Sequence, residues 1–255
     1  MEVRLHNLVT YDRLRDHVLQ RGCYSPAENE RIYQKWFASA PRYRFRAVNR
    51  KYGLTRGVLC DVGCAYGSNL VFCSPESYGI EIEPYEVNFA RSIGLTVYQM
   101  DVIQADFTGL PRVDAIWNSA TLEHVTAPHI FLRKLHQLLK PDGLLAIYVP
   151  TLPPLAWLRG LPRIGRYVSA YRHDDHINAF TPAVLRFLCE RAGFRTLEVS
   201  PFYPGALAAL NPLHLLDGCI YVGRKLDPWD YPPLATRRAA DNPSGFAYVG
   251  QKFAE

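Results

Sequence analysis

The sequence predicts a doubly wound α/β domain built on a mostly parallel, seven-stranded sheet. Three observations carry that expectation. Short apolar runs of the buried-strand type alternate with helical segments between residues 57 and 199. An acid, Asp61, ends the first run and leads into a turn with glycines at Gly63 and Gly67. A second acid, Glu81, ends the next run 20 residues later, where such a fold brings a carboxylate to the same sheet edge.

The elements follow in order. Residues 27–39 read as a helix after Ser25-Pro26, with Ile32, Trp36 and Phe37 on one face. Residues 43–52 read as a second helix stopped by Gly53. Residues 57–62 form the first strand, and a short helix is expected to start at Ser68 after the glycine turn. Strands are expected at 77–82, 95–99, 113–118 and 144–149, with helices at 85–92 and 128–139. The second of these helices closes on Lys140-Pro141-Asp142-Gly143, a run with turn chemistry. Thr181 is placed to cap a helix over 182–192 that Gly193 ends, and 194–199 is a sixth strand. Both 219–225 and 246–252 have the pattern of the seventh strand, and the later one is favoured. The chain reads as one domain: a helical cover over 1–54, a ligand-binding core over 55–200 with a lid or acceptor-site insertion at 151–175, and a C-terminal strand region over 201–255.

Composition narrows the class. An apolar share of 48% and a charged share of 21% over 255 residues exclude a mostly disordered chain. A net charge of +5, spread along the sequence, lacks the dense basic stripe of a nucleic-acid binder. There is no signal-like start and no apolar run long enough to span a bilayer, so a cytoplasmic protein is expected. The six cysteines make no CxxC pair or zinc pattern; buried free thiols are expected, Cys60 and Cys189 lying in apolar segments.

The chemistry concentrates in Val58-Leu59-Cys60-Asp61-Val62-Gly63-Cys64-Ala65-Tyr66-Gly67-Ser68. Small residues in such a turn let a ligand approach the backbone, and Glu81 can accept from two ribose hydroxyls at once. The dinucleotide pattern G-x-G-x-x-G fails, because its glycines would fall on Ala65 and Ser68. No Lys-Ser or Lys-Thr follows the turn, which excludes a P-loop. A nucleoside ligand without a pyrophosphate remains.

These residues resemble the class I S-adenosylmethionine-dependent methyltransferases, in particular their small-molecule subgroup, over roughly residues 55–200. Asp61-Val62-Gly63-Cys64-Ala65-Tyr66-Gly67 looks like the family's first motif, with Ala65 in place of the commoner glycine. Gly79-Ile80-Glu81 is similar to the ribose-binding strand end, and Met100-Asp101-Val102 to the segment beside the adenine. Residues 113–118 with Leu122-Glu123-His124-Val125, then Leu138-Leu139-Lys140-Pro141-Asp142-Gly143-Leu144, then His176-Ile177-Asn178-Ala179-Phe180-Thr181, continue the resemblance in the family's order.

The resemblance implies a Rossmann-like methyltransferase fold, S-adenosylmethionine as cofactor and S-adenosylhomocysteine as product. It implies a cofactor site made of Asp61, Gly63, Cys64, Ala65, Gly67, Glu81, Ile82, Asp101, Val102 and Asn118. The expected reaction is methyl transfer to a small-molecule acceptor, with a hydroxyl of a saccharide or secondary metabolite favoured. A non-catalytic cofactor-binding partner subunit and another transfer from the same cofactor are the alternatives.

A hydroxyl acceptor benefits from a base, and His124 and His176 fall on the ligand edge of the sheet, with His173 a weaker choice. Each has a structural alternative, as a loop brace or strut. No metal is expected, because no carboxylate-rich ligand cluster is visible. Residues 151–172 interleave Leu152, Leu155, Trp157, Leu158, Leu161 and Ile164 with Arg159, Arg163, Arg166 and Arg172, and hold no acid. A lid with arginines ready for a phosphate or carboxylate, shallow membrane contact as the weaker alternative, and plain packing on the sheet all fit that stretch.

Overall fold

The computed structural model describes residues 4–5, 9–10, 13–152, 176–201 and 218–230. A two-stranded ribbon, β1 (Arg4–Leu5) and β2 (Val9–Thr10), precedes the helical cover. The cover comprises α1 (Leu14–Arg21), α2 (Pro26–Ile32), a π-turn at Tyr33–Phe37 and α3 (Tyr43–Tyr52). Ser25 caps α2 by accepting from the Glu28 N–H, and Gly53 ends α3 at φ 69°, a left-handed stop that suits glycine.

The core alternates as expected: β3 (Leu59–Val62), β4 (Tyr78–Glu81), α4 (Pro84–Ser92), β5 (Val97–Gln99), β6 (Val113–Ser119), α5 (Pro128–Leu138), β7 (Leu139–Val149), α6 (Pro182–Arg191), β8 (Phe194–Pro201) and β9 (Cys219–Lys225). The main sheet has the order β5-β4-β3-β6-β7-β9-β8. β9 runs antiparallel to both its neighbours, and the other main-sheet pairings are parallel. This is a Rossmann-like methyltransferase fold.

Two apolar layers sandwich the sheet, sorted by the strand pleat. On β3, Leu59 packs with α1 to α4, whereas Cys60 and Val62 pack with α5 and α6. Asp61 therefore faces the cover side, and so does its lateral partner Trp117 on β6. Cys23 is exposed and the other five cysteines are buried free thiols.

Two expectations need correction. Cys219–Lys225, not 246–252, supplies the seventh strand of the main sheet; 246–252 lies outside the described residues. Cys219–Lys225 is hydrogen-bonded on both sides and buried along nearly all its length, which suits a run apolar on both faces. The helix expected from Ser68 is only a 3-10 turn at Leu70–Phe72. The N–H groups of Leu70, Phe72 and Cys73 each bond three residues back, and Pro75 follows too soon for an α-helix to propagate. Among the described residues no helix is long and apolar enough to cross a membrane. Most of the insertion 151–175 lies outside the described residues.

Candidate functional site

The carboxyl ends of β3 and β6 converge on one cavity of about 410 Å³, whose lining does not include Glu81 of β4. Asp61, Gly63, Cys64, Ala65, Ser68 and Asn69 line it from the sheet side, together with Trp117 and Ser119. The cover contributes Trp36, Ser39, Arg42, Tyr43, Arg44 and Arg46.

The glycine turn is held on β4. The N–H groups of Gly63 and Cys64 donate to the Ile80 carbonyl at 2.8 and 3.3 Å. Gly63 has φ 72°, and a Cβ there would collide with the Thr121 hydroxyl, so its lack of a side chain lets the loop after β6 close on the turn. Ala65 adopts φ 48°, which L residues other than glycine rarely take. At this position the family's commoner glycine is free of that strain.

Glu81 holds the turn in place. Its carboxylate accepts from the Ala65 N–H at 2.8 Å, the Ile82 N–H at 2.7 Å and the Glu83 N–H at 3.2 Å. Asp61 is treated differently: it is buried, and its Oδ2 has no hydrogen-bond partner among the described residues. Burial pushes its carboxyl up to about 8, with the neighbouring Glu81 charge adding and the Asn69 side chain opposing. Glu86, on the first turn of α4, is likewise pushed up to about 7 by burial and by Glu81 and Glu83.

The other expected cofactor residues sit on the same edge. Ile82 follows Glu81 and is exposed. The Met100 N–H donates to the Glu81 carbonyl at 3.0 Å, which places Asp101 and buried Val102 beside the end of β4. The Asp101 carboxylate caps its own turn, accepting from the Ile103 N–H at 2.8 Å and from Gln104 at 2.9 Å. Asn118 is fully buried and donates to the Val62 carbonyl at 2.8 Å, which ties β6 to the turn; Gly67, at φ 78°, packs against Leu95.

The two expected bases come together one loop away. The His124 and His176 rings meet edge-on with centroids 4.7 Å apart. His124 Nε2 lies 3.9 Å from Oε1 of buried Glu123. The Ile177 and Asn178 N–H groups donate to the Glu123 carbonyl at 3.1 and 3.0 Å, which fastens the two loops. The Asn178 side chain adds a 2.6 Å bond to the Val125 carbonyl. Potential ligand atoms of Glu123, His124 and His176 lie within 4.8 Å of one another, a set that could hold a metal ion. Neither histidine lines the 410 Å³ cavity.

A family profile described as "Methyltransferase domain" matches residues 31–199, more than half of the chain. The chain belongs to that family. Solved structures agree on the fold of this methyltransferase. An S-adenosylmethionine-dependent methyltransferase from Mesorhizobium loti aligns with TM-score 0.56 at 16% identity, over 72% of this chain and 99% of that one. One from Archaeoglobus fulgidus aligns at 0.54 and 16%, over 77% and 99%. The [4+2]-cyclase SpnF aligns at 0.51 and 18%, over 71% and 80%. No curated protein matches the sequence at a significant level. Methyl transfer is the general activity this membership carries, and S-adenosylmethionine is the cofactor expected from the motifs.

The residues fit that cofactor. Its ribose needs a carboxylate at a strand end, which Glu81 offers, and its cationic amino acid end needs an acceptor, which the unpartnered Asp61 oxygen offers. Sequence reasoning overlooked the cover's arginines. The signal was there: from Arg31 to Cys60 the chain has eight Lys and Arg and no acid.

Proposed function

We propose that this methyltransferase moves a methyl group from S-adenosylmethionine to a hydroxyl of a small-molecule acceptor, as a cytoplasmic enzyme. The observation that supports this most is the glycine turn held between a satisfied acid and an unsatisfied one, Glu81 and Asp61, beside an open cavity. The bound cofactor supplies an electrophilic methyl on a sulfonium, and displacement breaks its C–S bond as the O–C bond forms.

The chain's own residues do the rest. Glu81 holds the ribose end and Asp61 accepts from the ammonium end, while Ile82 and Asp101 flank the base. Holding the acceptor in line with the scissile bond supplies much of the acceleration. In this reading His124 takes the hydroxyl proton, with the Glu123 carboxylate 3.9 Å from its Nε2 and His176 packed against it. Trp36 of the cover lines the cavity and packs on Tyr66, ring centroids 5.4 Å apart.

Calorimetric titration with S-adenosylmethionine and S-adenosylhomocysteine, on wild type and on Glu81→Ala, tests the reading. Tight binding that the substitution weakens strongly is expected; no binding to wild type would sink it. A second reading, cofactor binding without transfer, is favoured by the position of both histidines outside the cavity lining. Unchanged turnover in His124→Gln and His176→Gln would remove them as bases, and no turnover with any acceptor would support the second reading.

A further inference from the structure

We propose that the cover half of the cavity recognises an anion on the acceptor, so that the substrate carries a carboxylate or phosphate beside its methylated group. This rests on the methyl-transfer reading and specifies its substrate class.

The charge balance of the cavity is one-sided. Three arginines line it, Arg42, Arg44 and Arg46, and Asp61 is its one acid among the described residues. The cofactor brings a single carboxylate, which absorbs one guanidinium. Two cations are left over for a second ligand.

Position decides which two. Arg42 stands over the glycine-turn end. Its backbone N–H donates to Asn69 Oδ1 at 3.0 Å, and its guanidinium lies over the Trp36 ring, 5.1 Å from the centroid. That guanidinium already donates to the Lys35 carbonyl at 2.6 Å. Arg42 is thus the cation next to the turn where the cofactor's amino acid end belongs.

Arg44 stands two strands away. Its guanidinium carbon lies over the Tyr148 ring, 3.6 Å from the centroid, near the carboxyl end of β7. A guanidinium held against a ring spends no N–H donor on a hydrogen bond, and its donors suit a bidentate anion. Among the described residues, Arg44 makes no side-chain hydrogen bond or ion pair, and neither does Arg46, which is exposed.

A second, independent feature points to a ligand in the same place. Trp117 is 1% exposed, lines the cavity, and its Nε1 has no hydrogen-bond partner among the described residues. A buried indole N–H left without an acceptor is costly, and an anion oxygen would satisfy it. Trp117 also packs edge-on against Phe45, the residue between Arg44 and Arg46 on α3, with centroids 5.5 Å apart. That contact ties α3, which carries both arginines, to the strand that carries the donor.

The test is titration of S-adenosylhomocysteine-saturated protein with inorganic phosphate and, separately, with benzoate, at matched ionic strength against chloride. Saturable binding of one probe is expected, and which one tells a phosphate acceptor from a carboxylate acceptor. Arg44→Gln and Arg46→Gln should each weaken that binding about tenfold, Arg44→Lys less, with S-adenosylhomocysteine affinity kept within about twofold. Circular dichroism checks the fold, and exposed Arg46 provides the variant least able to disturb it. No saturable binding of either probe would overturn the proposal. So would an Arg44→Gln variant that loses S-adenosylhomocysteine affinity while keeping anion affinity, because the arginine would then serve the cofactor. Failure of wild type to bind S-adenosylhomocysteine would strike the methyl-transfer reading, and the same anion titration on the free protein would still decide this one.

Discussion

The carboxyl ends of β3 and β4 lie side by side, each carries a buried acid, and the fold treats the two acids in opposite ways. Glu81 on β4 receives three backbone N–H bonds. Asp61 on β3, one strand over, keeps an oxygen with no described partner and a carboxyl pushed up to about 8 by burial. One acid is thus part of the scaffold before any ligand arrives, and the other is held at a cost that a cationic ligand would relieve. The contrast separates what shapes the pocket from what awaits its contents.

The comparison can be broken most directly at Glu81. Glu81→Gln removes charge from three N–H bonds and from the ribose contact together. It should weaken S-adenosylhomocysteine binding about 100-fold and cost about 1–3 kcal/mol of stability. Calorimetry and urea unfolding measure the two effects. A larger stability loss in Asp61→Asn would invert the assignment.

Asp61→Asn should weaken cofactor binding about tenfold and, near neutral pH, make the free protein more stable than wild type, because the amide carries no charge to bury. Binding at pH 7 should also release close to one proton from wild type, because the ammonium end of the cofactor favours the ionised acid. The Asn variant should lack that release, which calorimetry in buffers of differing ionisation enthalpy reads directly.

The pH dependence of stability sharpens the same point. The folded pKa of Asp61 is raised above its unfolded value, so the folded state holds a proton that the unfolded state gives up. Stability should therefore fall as pH rises from about 4 to about 8, with a slope of at most about 1.4 kcal/mol per pH unit. Glu86 acts in the same sense up to about 7. His136, lowered by burial to about 4, acts in the opposite sense below its ordinary value. Between pH 7 and 8 the difference in slope between wild type and Asp61→Asn isolates the Asp61 contribution. Equal slopes would show that Asp61 is already ionised.

The smallest expected effect lies at Ala65. Relieving its left-handed backbone with Ala65→Gly should stabilise the chain by up to about 1 kcal/mol, offset in part by the flexibility of glycine in the unfolded state. Thermal unfolding would register it, and a loss of stability would mean that the Ala65 methyl makes a contact worth more than the strain.

The legible parts were those written in local chemistry. The limits of α3 follow from Gly53, the start of α6 from Thr181, and the carboxylate pair from two apolar runs that end in acids. The seventh strand was ambiguous, because two segments share its pattern and only non-local pairing with β7 and β8 distinguishes them. The short 3-10 turn after the glycines depends on how little chain separates β3 from β4. The meeting of His124 with His176 was legible only as two positions on one edge; the Asn178 bonds that join them span more than fifty residues. Arg44 was illegible for a similar reason, since its value lies in Tyr148, about a hundred positions later.

The reversed direction of β9 has a practical side. The strand begins opposite Val149, at the rim that carries the cavity, and ends at Lys225 opposite Phe194, on the far rim. There Trp229 rests against Arg133, 4.3 Å from its ring centroid, and the Leu226 N–H donates to the Gly193 carbonyl at 2.9 Å. The polypeptide thus reaches Asp230 on the side away from its ligands. The whole chain tethered to a sensor surface through that far rim would present its cavity to solution, and cofactor titrations on such a surface should match those in free solution.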